Sequence, residues 1–422
     1  SDNWSRGFDI YTDHIKHSLY DRPHTSNRRY IAILFSRWDS SYCEYVSTWV
    51  IITINKEKNM KIVITGGASG GHFVPLMAVS ESIVRSAYEQ KLLQPKIYYF
   101  GNSPKNPNML WERGLIFERV PSAEMNSQFK TIGGFLKTVF GFFVAIYKLF
   151  RIYPDVVFAK GGLDGGTTAL AAYILQIPII VHESDSVPGR VTTFLSKLAE
   201  RVAVSYKGAA AYFKNGNIAN TGQPIIEKCL APENYQKHYP TEKPTILITG
   251  GSQGSVRINN AIFAILPQLT EKYNVIHQCG EANYGTLKIE SDVLLGKNNK
   301  NYNLAGSFNF SDIYPKVDFA VTRGGSTLFE LAEWQIPSIV IPLPESYRDH
   351  QKENARAQEI LGWAKTLTEE NLSPNILLST IDSILSNKTE YEKMAAAAKE
   401  VNKYNASKII ADEIIKISLS HH

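Results

Sequence analysis

The stretch KIVITGGASGGHFVPLMAVSESI (residues 61–83) is answered by TILITGGSQGSVRINNAI (residues 245–262). Each copy runs from a β-branched strand through a glycine-rich turn into a segment with helical spacing. A second echo follows in the same order. DVVFAKGGLDGGTTALAAYILQIPIIVHES (155–184) and DFAVTRGGSTLFELAEWQIPSIVIPLPES (318–346) share a strand, a Gly-Gly turn, a helix, the tripeptide QIP and another strand. From Met60 onward strands and helices alternate, the pattern of an α/β protein with a parallel sheet. Two echoes in one order predict two Rossmann-like, doubly wound domains facing a cleft.

The expected domains are residues 60–222 and 223–390, joined near NTGQPIIEKCLAPENYQKHYPTEKP (220–244), with a helical tail over 391–422. Residues 1–59 differ: they are rich in Tyr, Ser, Trp and Arg, with one strand-like run, YVSTWVIITI (45–54), and no helical period. They read as an N-terminal extension ahead of a natural start at Met60.

A chain of 422 residues accommodates two such cores. The formal charge of +5 suits an anionic ligand or membrane surface, and no Lys/Arg cluster is dense enough to track nucleic acid. Cys43, Cys229 and Cys279 lie far apart with no CxxC spacing, which argues against a disulfide framework or a zinc site and for a reducing compartment. No run reaches the ~18 uncharged apolar residues of a membrane span, and the polar opening residues read as no signal peptide.

A glycine-rich turn between strand and helix offers backbone N–H groups and the positive end of a helix dipole to phosphate. The same turn can simply connect strand to helix. GGASGG is not G-x-G-x-x-G, and KIYYFGNS (96–103) lacks the acidic residue that a dinucleotide ribose needs. Neither G-x-x-x-x-G-K-[ST] nor D-x-D occurs, so neither a P-loop nor a metal-held nucleotide sugar is indicated. A nucleotide-sugar enzyme of the two-domain GT-B type fits best, with no cofactor and no metal expected.

GGASGGHFVPLMAV (66–79) resembles the N-terminal glycine loop of the MurG family. HESDSVPGRVTTFLSKLA (182–199), GGSQGSVRIN (250–259), TRGGSTLFELAEWQIPSIVIPLP (322–344) and RDHQKENA (348–355) are similar to its later motifs, in order. The resemblance runs from Met60 to about residue 390. It implies an inverting N-acetylglucosaminyltransferase of peptidoglycan synthesis. Such an enzyme moves GlcNAc from UDP-GlcNAc to the C4 hydroxyl of undecaprenyl-diphosphate-MurNAc-pentapeptide, turning lipid I into lipid II. The C-terminal domain would hold the donor. The N-terminal domain would take the acceptor, peripherally, at the cytoplasmic face of the bacterial membrane. The alternatives are another GT-B UDP-sugar transferase, a UDP-sugar epimerase, or a non-catalytic nucleotide-sugar-binding partner.

The resemblance also implies site residues. His72 is the candidate general base, a neutral imidazole near pH 7 being suited to an acceptor hydroxyl; its other reading is a histidine that orients a diphosphate. Asp185 is the competing base and a donor-sugar contact, at a position where the family usually carries Asn. Ser69, Gly70 and Gly71 match the substrate-contacting loop. Glu330 would accept the ribose hydroxyls. Gly325, Ser326 and Thr327, followed by Leu328 and Phe329, would meet the diphosphate, with Ser252 and Gln253 toward uridine or phosphate. Gln351 would contact the GlcNAc hydroxyls, with His350 as a neighbour. Two positions depart from the family: its usual tyrosine is Leu163, and an arginine thought to approach the diphosphate is Ile226. Arg257 or Arg323 could restore that charge.

FKTIGGFLKTVFGFFVAIYKLFRIYP (129–154) carries a surface signal of its own. At 100° per residue, Lys130, Lys137, Lys148 and Arg151 share one side, while Ile132, Phe135, Leu136, Val139, Phe142, Phe143, Ile146 and Phe150 take the other. This predicts an interface helix on anionic lipid, with Phe135, Lys137, Phe142 and Lys148 as contacts and a break near Gly133, Gly134 or Gly141.

Overall fold

A computed structural model describes residues 29–37, 46–54 and 59–421, apart from 68–69, 105, 124–131, 215–216, 298 and 345–348. The chain divides into two compact units, Ser1–Lys58 and Asn59–His422. The first contains an antiparallel pair, β1 (Arg29–Arg37) and β2 (Val46–Ile54). β2 lies in the strand-like run of the sequence, whereas β1 carried no such sign.

The second unit holds two parallel sheets. The first comprises β3 (Lys61–Gly66), β4 (Lys96–Gly101), β5 (Ile116–Arg119), β6 (Val156–Lys160), β7 (Ile179–Glu183), β8 (Arg201–Val204) and β9 (Ile218–Asn220). Its strand order is β5-β4-β3-β6-β7-β8-β9. The second comprises β10 (Thr245–Thr249), β11 (Asn274–Gln278), β12 (Tyr302–Ala305), β13 (Phe319–Thr322), β14 (Ser338–Val340) and β15 (Ala364–Thr366), in the order β12-β11-β10-β13-β14-β15. Both orders reverse direction once, at β3/β6 and at β10/β13. This is the doubly wound arrangement the echoes predict. Every residue of β6 and β7 is buried, as strands covered on both faces must be.

Seven helices matter below: α1 (Gly70–Glu89), α2 (Ile132–Ile152), α3 (Gly162–Ile174), α4 (Val256–Phe263), α5 (Thr327–Glu333), α6 (His350–Ile360) and α7 (Ala406–Ser420).

The sequence echoes have structural counterparts. The carboxylate of Asp155 accepts a bond from the Lys61 amide at 2.7 Å, and that of Asp318 accepts one from the Thr245 amide at 2.9 Å. Each aspartate opens a fourth-in-order strand and pins the start of the central one. The glutamines of the two QIP tripeptides, Gln176 and Gln335, both take left-handed backbone, with φ of 56° and 51°. Each ends its helix so that the following Ile-Pro can enter a strand.

The two halves share a core. Val202, Val204 and Tyr206 of the first sheet cluster with Leu328, Phe329 and Trp334 of the second half, and the Tyr206 and Phe329 rings meet at 5.1 Å. The last helix described, α7, packs against α1, placing Ile410, Ile414 and Ile417 in the core of the first sheet.

α2 departs from its expected form in two ways. It is one continuous helix through all three glycines, and Gly141 serves packing: a Cβ there would lie 1.7 Å from the Pro121 carbonyl oxygen. That contact also sets its rotation. Gly134, Gly141, Ala145 and Leu149 form the buried face, and Phe142 and Ile146 pack partly against the core. Lys148 pairs with Glu118 of β5 at 2.5 Å. Phe142 and Lys148 are therefore corrected from outward contacts to domain packing. The exposed stripe runs through Leu136, Phe140, Phe143, Tyr147 and Phe150, each more than half exposed; Phe135 and Lys137 are also exposed, and Lys130 lies outside the described residues. By length and composition this 21-residue helix could cross a bilayer, yet one side of it is committed to the first sheet.

Candidate active site

In a doubly wound sheet, ligands bind beyond the carboxyl ends of the strands, where the strand order reverses. The glycine turns after β3 and β6 stand at that point in the first sheet, and those after β10 and β13 in the second. A cleft of about 1070 Å³ lies between the start of α1 in the first half and the glycine turns of the second. Gly71, Val74 and Pro75 of α1 line one wall; Ser252 and Gln253, with Gly325, Ser326, Thr327, Glu330 and Gln351, line the other. Eight of the predicted positions thus meet in one space. Gly70 begins α1 beside it, while Ser69 lies outside the described residues.

The second-half turn GGSQG is built for close approach. Gly254 has φ of 74°, and a Cβ there would sit 1.9 Å from the Cys279 carbonyl oxygen. The loop thereby lies against the chain just beyond β11, with Ser252 and Gln253 at the cleft and the Gly251 and Gly254 amides bonded to Thr249 Oγ1 and the Gly251 carbonyl. Ser255 caps α4, its hydroxyl accepting from the Ile258 amide at 3.3 Å.

Glu330 projects from α5 into the cleft floor. Burial raises its pKa, and the Tyr314 hydroxyl, which donates to Oε2, opposes that shift. Tyr314 is fully buried and stacks on Phe310 at 5.2 Å with the rings 10° apart. Phe308, Asn309 and Phe310 continue the wall beside Glu330. Sequence reading missed this group. Leu328 and Phe329 turn away: both side chains are core, and their amides are taken by the carbonyls of Gly325 and Ser326. Those two are corrected from substrate contacts to packing residues. Gln351 accepts a bond from the Leu343 amide at 3.0 Å, so its amide plane is set by the adjoining loop.

His72 is the third residue of α1, and its ring lies over both first-half turns. A Cβ on Gly67 or on Gly161 would come within 3.4 Å of it. Its Nδ1 is sealed from solvent with no hydrogen-bond partner among the described residues. Burial, reinforced by Lys160, brings its pKa down to about 4, with Asp185 acting in the opposite direction. The imidazole is therefore neutral at physiological pH.

Around it lies a buried ionisable group that the sequence reading left out. Lys160, 1% exposed, places Nζ 3.4 Å from His182 Nδ1. Burial lowers its pKa to about 7, against the pull of Glu183 and Asp185. Glu183 accepts the Asp185 and Gly189 amides at 3.0 and 3.1 Å, and burial raises its pKa to about 7.

Asp185 proves to be a bridge point. Its Oδ1 accepts from Asn354 Nδ2 at 2.9 Å, and Asn354, buried on α6, also donates to the Gly324 carbonyl at 3.0 Å and accepts the Ser186 amide at 2.8 Å. One asparagine thus ties the loop after β7 to the turn after β13. Ile226, the residue in place of the family's arginine, is buried in the first core, and Leu163 is half-buried at the start of α3. Among the described residues no cluster of His, Cys, Asp or Glu is arranged to hold a metal ion.

Two doubly wound domains meeting at one cleft, with the start of α1 on one wall, glycine turns on the other and a carboxylate in the floor, define a GT-B glycosyltransferase. The N-terminal domain model of glycosyltransferase family 28 matches residues 62–204, and its C-terminal domain model matches residues 245–410. A UDP-N-acetylglucosamine–N-acetylmuramyl-(pentapeptide) pyrophosphoryl-undecaprenol N-acetylglucosamine transferase of Oenococcus oeni is 31% identical, over 85% of this chain and 96% of its own length. The enzyme of that name from Bacillus cytotoxicus is 33% identical, over 81% and 95%. The crystal structure of Acinetobacter baumannii MurG superposes with a TM-score of 0.65 at 21% identity, over 85% of this chain and 99% of that one. The chain belongs to this transferase family, the MurG family.

Proposed function

We infer that the protein transfers GlcNAc from UDP-GlcNAc to the C4 hydroxyl of undecaprenyl-diphosphate-linked MurNAc-pentapeptide, converting lipid I to lipid II. The relatives' shared activity supports the reaction, and the meeting of α1 with the second-half turns at one cleft supports the placement of its parts. In this reading the uracil lies against Phe308 and Phe310, and Glu330 accepts the ribose hydroxyls. The amides of Ser252 and Gln253 and those of residues 325–327 receive the diphosphate. GlcNAc extends toward Gln351, and the acceptor arrives along α1, on the Gly71 side.

The acceptor oxygen forms a bond to the anomeric carbon from the face opposite the diphosphate, while the bond from that carbon to UDP breaks; the configuration inverts. The hydroxyl proton passes to His72 through Nε2, since Nδ1 is enclosed. Burial makes the imidazole a weak base, and a diphosphate drawn up beside it raises its proton affinity as the reaction needs it. Asp185, held by Asn354, keeps the two walls in register at the sugar. The exposed aromatic stripe of α2, flanked by Lys137 and Arg151, rests on the anionic cytoplasmic leaflet, where a lipid-borne acceptor is found.

The single observation carrying this reading is that the start of α1 in the first half, the glycine turns of the second half and Glu330 line one cleft. Purified protein is expected to release UDP from UDP-GlcNAc only when a lipid I analogue is supplied, with or without divalent metal. UDP release indifferent to that acceptor would refute the assignment.

A further inference from the structure

A departing UDP carries two or more negative charges, and the cleft must neutralise them. Among the described residues, two side chains lining it are permanently cationic, Arg257 and Arg323. The remaining candidate position, Ile226, is uncharged and enclosed in the first core. Both arginines converge on one carboxylate, Glu369, just past β15, whose side chain is 3% exposed.

The two arginines are held differently. Arg323 is 11% exposed and pairs with Glu369 at 2.6 Å. It also donates to the Ile341 carbonyl at 3.0 Å and to the Ser255 hydroxyl at 2.5 Å. Moving it would break three bonds and take away the donor that steadies the capping hydroxyl of Ser255. Arg257 is 64% exposed, and among the described residues its sole partner is Glu369. It occupies the second position of α4, where the helix dipole disfavours a cation and favours an anion. It also directly follows the GGSQG turn.

We propose that Arg257 is the mobile clamp for the donor's diphosphate, parked on Glu369 while the cleft is empty, and that Glu369 is the positioning residue that holds it ready. The proposal rests on the donor placement given above. When UDP-GlcNAc enters, Arg257 exchanges the carboxylate for diphosphate oxygens, and Glu369 stays neutralised by Arg323. The exchange is offset, because Arg257, itself mostly exposed, trades one charge-assisted contact for another at a helix N-terminus while Arg323 stays on the buried Glu369. Glu369 thus does not stand uncompensated at any stage.

The test is calorimetric titration of the full-length protein and its Arg257→Gln, Arg257→Lys and Glu369→Gln variants with UDP and, separately, with uridine. Arg257→Gln should weaken UDP roughly 10- to 100-fold, as expected for a lost charge-assisted contact, and leave uridine within about twofold. Arg257→Lys should recover part of the loss. Glu369→Gln should tighten UDP a few-fold, since Arg257 no longer leaves a partner, with uridine unchanged. If Arg257→Gln affects UDP and uridine equally, or neither, the clamp is refuted while the donor site stands. If Glu369→Gln weakens UDP, the parking role is refuted. If the unaltered protein binds neither ligand, the donor placement falls and the clamp with it.

Discussion

Glu330 can grip a ribose only if its carboxylate is held still, and Tyr314 does that from beneath. The phenol cannot turn elsewhere, being fully buried and stacked on Phe310. Tyr314→Phe removes the hydroxyl without changing the ring and leaves a buried carboxylate oxygen unpaired. Such a loss costs about 1–3 kcal/mol. The KM for UDP-GlcNAc should rise roughly tenfold with kcat little changed, as initial rates will show; an unchanged KM would remove Tyr314 from the donor site. Lys160 has a different consequence. In the unfolded chain its amine titrates near the ordinary 10.5, and in the folded protein near 7. Between those values the unfolded state binds the extra proton, so stability rises with pH across that window. Urea midpoints should therefore climb from about pH 7 to about pH 9 and level out in Lys160→Met, which keeps the volume and loses the charge. A variant that climbs as steeply as the parent would show that another group titrates. Glu330 and Gln351 were legible in the sequence because each sits inside a quoted motif. Tyr314, Asn354 and Glu369 were not identified, because each acts through a partner distant in the chain: Glu330, Asp185 and Arg257 respectively.

The elements repeat this pattern of what can be read and what cannot. In the two parallel sheets the inner strands, with their buried apolar runs, were legible. β5, β9, β12 and β15 were not: they are the four sheet edges, short and partly exposed, and carry no continuous apolar run. α2 was legible as amphipathic, but its rotation depended on one tertiary contact, Gly141 against Pro121, that no local pattern encodes. The corrected stripe makes a direct prediction. Replacing Phe140 and Phe143, each over 60% exposed, with Asp should abolish sedimentation with vesicles rich in anionic lipid. Turnover of a short-chain, water-soluble acceptor should be left nearly intact. Vesicle binding that survives the double change would place the lipid contact elsewhere.

At the scale of the molecule, the two domains are joined by more than a linker. Asn354 spans the cleft, Tyr206 reaches Phe329, and α7 returns from the second half to cover the first. Each large apolar side chain that α7 buries contributes about 1.5–3 kcal/mol. Ile410, Ile414 and Ile417 together therefore rival the whole stability of an ordinary domain. Removing residues 405–422 should expose residues 60–220 to protease ahead of residues 245–400, although the deleted segment follows the latter in the chain. Limited proteolysis read by mass spectrometry distinguishes the two orders, and earlier cleavage of residues 245–400 would show that α7 is dispensable to the first sheet.

Because that cover is made last, a ribosome building this chain emits some 180 residues beyond β9 before the opening domain can close over its grease. For that interval the nascent first half carries an uncovered apolar groove into the cell. The time spent waiting is set by the speed of translation, and not by how fast the domain itself can fold.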